Sequence, residues 1–124
     1  MALNNTSEKE KNTEQLKESI DQKIRDGEEQ LENITTKIKQ SQAEVDKLAQ
    51  KNIAYSTTIK NIKENPEEFS PAAIKEAYDE ALEAQQRLFV MRGQMEKLKG
   101  EQVHLQDFIM QMQDMNGFLS RTPL

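Results

Sequence analysis

The single histidine of the chain, His104, follows Glu101 by three residues, and Glu-x-x-His on a helix is the ligand spacing of di-iron helical bundles. Such a site needs both side chains turned inward with further carboxylates beside them. In the repeat described below, His104 falls at position c, away from the seam, and no Asp or Glu occupies a seam position. The pair is therefore read as solvated, with no metal bound. The many other carboxylates lie on polar faces, where nothing would hold two of them at the burial that acid/base catalysis requires. There is no cysteine, which excludes thiolate zinc sites and disulfides, and no glycine-rich loop to cradle a phosphate. Asn33-Ile34-Thr35 has the form of a glycosylation acceptor but sits inside a helical pattern without a secretory signal, and is read as chance. The expectation is a protein with no catalytic residues and no cofactor.

The elements that carry these residues are set by a heptad repeat. Ile24, Leu31, Ile38, Val45, Asn52 and Ile59 occupy position a, and Ile20, Gly27, Ile34, Ser41, Leu48, Tyr55 and Ile62 occupy d, so that only Gly27, Ser41 and Asn52 depart from an apolar series. A second series follows, with Ile74, Ala81, Leu88, Met95, Gln102, Ile109 and Asn116 at a, and Ala77, Ala84, Met91, Leu98, Leu105, Met112 and Leu119 at d. Sustained a/d spacing predicts a coiled coil.

Between the two series, Pro66 cannot continue a hydrogen-bonded helix and pushes Asn65 out of the helical region. Ser70 and Pro71 then restart the chain as N-cap and first helical residue. The expected organisation is a flexible polar N-terminus over 1–12, where Ser7 to Glu10 matches a capping box and Thr13 offers a later start. A single helical domain over 13–119 follows, with helix 1 at about 13–63, a turn at 64–70 and helix 2 at about 71–116, ended by Gly117, before a tail at 120–124. A turn this short requires antiparallel neighbours. If residues whose numbers total 136 share a layer, every a meets a d, and large side chains meet small ones: Ile59 with Ala77, Tyr55 with Ala81, Met95 with Ser41, Ile109 with Gly27. The predicted fold class is all-α, a long two-helix antiparallel coiled-coil hairpin that dimerises into a four-helix bundle.

Apolar residues outside the seam are the candidate interaction surface. Tyr78, Leu82 and Phe89 form an outer stripe, and Phe108, Met110, Met115 and Phe118 widen the apolar face toward the end of the second helix. Dimerisation would bury them. Five of the six methionines lie between Met91 and Met115, a polarizable surface able to re-pack around a client helix, although methionine at this spacing is also ordinary core filler. Gly27, Ser41, Asn52 and Gln102 interrupt the seam and are the candidate register or switch positions. Gly93 and Gly100, seven apart at position f, are read as soft points.

Net charge is −5 with both signs interspersed, which argues against nucleic acid as a partner. The start lacks a basic and apolar leader pattern, and no apolar run approaches a membrane span, so a cytoplasmic protein is expected.

Phe69-Ser70, Ile74, Ala77-Tyr78, Ala81, Gln85 and Leu88, preceded by Asp46-Lys47-Leu48 and followed by Leu98 and Leu105, resemble the N-terminal sensory region of DegS-type bacterial sensor histidine kinases. The resemblance spans roughly residues 42–109, and its most specific part is the F-S-x-x-x-I-x-x-A-Y-x-x-A string. It implies a cytosolic helical input and dimerisation module, without the kinase core, that acts through protein contacts in a two-component system. A histidine kinase core or a response regulator would then be its partners beside a homodimer. His104 lacks the following acidic residue of a phosphoacceptor and is not assigned that role. The competing reading is a small helical chaperone or adaptor that holds a client helix on its Met/Phe-rich second helix.

Overall fold

The computed structural model describes residues 2–121. Two long helices make up nearly all of it: α1 (Ala2–Glu64) and α2 (Pro71–Arg121), joined by a 3-10 turn at Pro66–Glu68. No strand occurs among the described residues.

The break follows from local chemistry. Asn65 leaves the helical region (φ −136°, ψ 61°) ahead of Pro66, while its amide still donates to the Asn61 carbonyl at 2.9 Å. Phe69 is extended and half-buried. Ser70 then caps α2: its hydroxyl accepts from the Ala73 amide at 3.1 Å, and its carbonyl accepts the first helical bond, from Ile74, at 3.0 Å.

The outer ends of both helices differ from expectation. α1 begins at Ala2 rather than near Thr13, and Thr13 donates its hydroxyl to the Lys9 carbonyl at 2.9 Å, the bond of a residue inside a helix. Thr13 and Lys17 are half-buried and continue the d and a series back from Ile20. Ser7, with its side chain, lies outside the described side chains, and the residues 122–124 of the expected tail lie outside the described residues. At the other end Gly117 stays helical, with no glycine at positive φ, and α2 runs on to Arg121, whose guanidinium donates to the Gly117 carbonyl at 3.1 Å. Half-buried Leu119 gives the helix a reason to continue.

Every a and d position from Ile20 to Ile62 and from Ile74 to Leu119 is buried or half-buried. Two compact units share them: Lys37–Lys99, and Met1–Thr36 with Gly100–Leu124. In the first, the turn makes α1 and α2 antiparallel, and Val45, Leu88 and Met95 form a buried cluster with Leu48 and Met91 packed against it. The numbers of Val45 and Met91, and of Leu48 and Leu88, total 136, as the expected layers require. Ala81 and Ala84 are buried near the turn, where their small side chains face larger ones. In the second unit, Ile20 and Ile109 are buried, and Ile109 fills the space left by Gly27: a Cβ there would lie 3.1 Å from Ile109 Cγ1. Burying such an aliphatic side chain contributes about 1.5–3 kcal/mol, so the seam carries the stability of a chain with few other buried groups.

Candidate functional site

Helix periodicity places every large exposed apolar residue off the seam on one of two flanks. Positions e and b lie beside a, and positions g and c lie beside d. In the unit Lys37–Lys99, the e/b flank of α2 shows Tyr78, Leu82 and Phe89, which are 41%, 56% and 80% exposed. Ile53, 68% exposed, stands at b on the corresponding flank of α1. The g/c flank of the same unit is mainly polar, with Val90 exposed at c. There Lys51 and Arg87, like charges brought together by the hairpin, line a cleft with Glu80 and Glu83, which supply the opposite charge.

The unit that holds both outer helix ends has its apolar residues chiefly on the g/c flank. Leu16, Met115, Phe118 and Leu119 line a shallow apolar groove with Asp114 at its edge. Phe108 is half-buried: its ring packs over Gly27, with Cδ1 3.7 Å from where a Cβ would stand. Met110, exposed at b, is on the opposite flank from Met115. The apolar face expected toward the end of α2 is thus divided between two sides of the helix. Leu16 and Ile53 on α1, and Val90 and Val103 on α2, are exposed apolar residues outside the expected surface. Their positions off the seam, at g, b, c and b, were the available signal.

Polar groups in the seam are few. The Gln102 amide donates to the Thr35 hydroxyl at 3.2 Å, and that hydroxyl donates to the Leu31 carbonyl at 2.8 Å, so Gln102 is tied into its layer. The Asn116 amide donates to Asp21, while its Oδ1 is buried without a partner. Asn52 Oδ1 is likewise buried and unpartnered. Ser41 is half-buried and carries no orphaned atom. Gly27 is tightly packed rather than loose.

Glu101 and His104 are both exposed. His104 borders a shallow cleft over Gly27, with Lys23, Asp26 and Gln30 on the other wall. Among the described residues no three His, Cys, Asp or Glu side chains converge as a metal site would require. No described helix is long and apolar enough to cross a membrane. What this surface offers a ligand is therefore apolar contact along a helix flank, framed by charges.

The family model for the sensor protein DegS matches residues 2–117. The chain belongs to the DegS sensor protein family. Comparison with curated proteins and with solved structures returns no match. The DegS match extends well beyond residues 42–109, taking in the first half of α1 and the Met/Phe-containing end of α2. Within the F-S-x-x-x-I-x-x-A-Y-x-x-A string, Ser70 caps α2, and Ile74, Ala77 and Ala81 sit in the seam. Tyr78 is the member of that string with no such structural task, since it is exposed at position e.

Proposed function

We propose that this DegS family member is the cytoplasmic signal-input and dimerisation module of a two-component sensor kinase, acting through protein contacts and without chemistry of its own. The family match over residues 2–117 is the observation that carries the reading. The exposed Tyr78, Leu82 and Phe89 support it, because an apolar helix flank of this kind is suited to association into a four-helix bundle. Its partners would be a second copy of the chain, a histidine kinase core and, through that core, a response regulator. The resemblance to membrane-free sensory regions supports the cytoplasmic location. Signal would pass as a change in rotation or register of α2, since a packed helix has discrete arrangements rather than a continuous range.

The test joins the chain in frame to a histidine kinase core and reads autophosphorylation and transfer to the response regulator. Inserting seven residues after Leu105 keeps each a and d position facing the seam, whereas inserting one rotates everything beyond by about 100°. The expected result is signalling retained with seven and lost or locked with one. Equal activity from both would remove rotational or register transmission from the proposal.

A second reading, a chaperone or adaptor for a client helix, is favoured by the groove of Leu16, Met115, Phe118 and Leu119. It calls for a monomer that is soluble only with its client, whereas the sensor reading calls for a homodimer without one.

A further inference from the structure

We infer that the e/b flanks of both helices in the unit Lys37–Lys99 form one docking face for a second copy, related by a two-fold axis along the helices, so that α2 of each copy packs against α1 of the other. This rests on the homodimer of the preceding reading and names its surface and register. The two α2 helices then run the same way, as helices leading into a paired kinase core must. Ile53 decides for this arrangement. In an antiparallel hairpin the e positions of the two helices lie side by side, so Ile53, 68% exposed at b of α1, shares a face with Tyr78, Leu82 and Phe89 of α2. A contact between the two α2 helices alone, in the same direction, would set Arg92 on Arg92 and leave Ile53 in water. Face-to-face docking covers all four apolar side chains.

Rotation about such an axis leaves every residue at its own height, and the hairpin brings level those residues whose numbers total 136. The nearest layers in which each e position of one copy meets a b position of the other total 138, about 3 Å from level. In these layers large side chains meet small ones: Phe89 faces Ala49 and Leu82 faces Ser56, each twice by symmetry. Ile53 faces the stem of Gln85 and lies one residue from the height of Leu82. Tyr78 lies over the methylenes of Lys60, which gives its exposed ring a task. Arg92 meets Asp46. Both are exposed, and among the described residues the ion pair present is Glu96 with Lys99, so neither is paired in the single chain. Gln42 donates to one oxygen of Asp46 at 2.9 Å, which leaves the other for the guanidinium. The end layers, Lys75 with Lys63 and Lys99 with Lys39, set like charges together and confine the contact to the stretch between them. A register one heptad away on either side would set Arg92 against Lys39 or against Ile53. Charges at the rim of an apolar patch select register and orientation more than they add affinity, which is the role assigned to them here.

In sedimentation measurements at low salt, Asp46→Arg and Arg92→Asp should each turn two attractive pairs repulsive and weaken dimerisation about tenfold. Combining them in one chain should restore it. Ile53→Ser should weaken dimerisation to a similar extent although α2 is unchanged, with helicity by circular dichroism constant in every variant. The chain has no cysteine, so a spin label on Ala72→Cys, exposed at position f of α2, reads the direction of the second copy. The two labels should lie within about 30 Å of one another, because neighbouring helices of a bundle pack about 8–10 Å apart. An antiparallel pairing of the two α2 helices about Gln85 and Gln86 would separate them by about 40 Å along the axis. A dimer unweakened by Ile53→Ser, not rescued in the double variant, or showing the longer distance overturns this surface while leaving the homodimer standing. An unsubstituted chain that stays monomeric at every concentration tested overturns both.

Discussion

Replacing Asn52 by leucine should stabilise the hairpin. Asn52 sits at a seam position in the layer of Ala84, half-buried, and its Oδ1 has neither a protein partner nor exposure to solvent. Leaving such an oxygen unsatisfied costs about 1–3 kcal/mol. Leucine has the branching and heavy-atom count of asparagine, and its greater bulk faces only the small Ala84, so it removes that cost without severe overpacking, and at half burial it adds roughly 1 kcal/mol of apolar transfer. The combined gain is about 2–4 kcal/mol, which for a domain near 100 residues raises the midpoint of thermal unfolding by roughly 10 °C or more. Circular dichroism during thermal and urea unfolding reads the effect, at one protein concentration because association also moves the midpoint. Asn52→Ala is the informative companion: it removes the orphaned oxygen but leaves a small void, so its two effects nearly cancel. A leucine variant no more stable than the parent would show that the carbonyl oxygen is satisfied in solution, and the account of this layer would fall.

At Gly27, alanine gains about 1 kcal/mol of helix propensity and loses a similar amount by crowding Ile109 at 3.1 Å, so Gly27→Ala should change the urea midpoint little. Gly27→Leu should cost about 1–3 kcal/mol in the same assay, because Ile109 and Phe108 occupy its space. Cysteines at Ser41 and Met95, which face one another in the expected register, should form a disulfide within one chain, and linkage only between chains would refute the hairpin. Ser70→Ala removes the hydroxyl that accepts from the Ala73 amide and should cost about 1 kcal/mol, with a Ser70→Asp variant keeping most of the cap.

The seam was legible because a heptad repeat binds local and tertiary structure to one period: once Ile20 and Ile24 are in phase, burial of Leu48 and Leu88 follows without knowledge of loops or sheets. The turn was legible for a related reason, since Pro66 and Ser70-Pro71 act through covalent geometry and one hydroxyl. Helix ends were not. Thr13 reads locally as a cap and Gly117 as a stop, yet Thr13 is itself half-buried within α1, and half-buried Leu119 keeps α2 packed past Gly117. Local signals of about 1 kcal/mol yield to burial of comparable size. Exposed apolar residues could be found by subtracting the seam, which gives Tyr78, Leu82 and Phe89 directly. Phe108 required the structure, because its partial burial depends on the room left by Gly27.

Four seam positions could in principle let the helices exchange one arrangement for another, and the structure separates them. Gly27 is closed by Ile109, and Gln102 is held through Thr35 to the Leu31 carbonyl, so moving either layer breaks contacts already made. Ser41 has no buried group left unsatisfied. Asn116, which also has an orphaned oxygen, keeps its amide bound to Asp21. Asn52 alone among the four has an orphaned buried atom with no compensating bond on the same side chain. A penalty of about 1–3 kcal/mol in the resting arrangement is of the size that separates the two states of a switch whose minor form is populated at the per cent level. Relieving that penalty in the shifted arrangement would bring the two states toward balance, where a modest input can decide between them. Asn52→Leu should therefore do more than raise stability: joined to the kinase core, it should flatten the response to stimulus, because the arrangement it stabilises no longer has an orphaned group to relieve. A leucine variant that is more stable yet responds as the parent does would place the switch outside this layer.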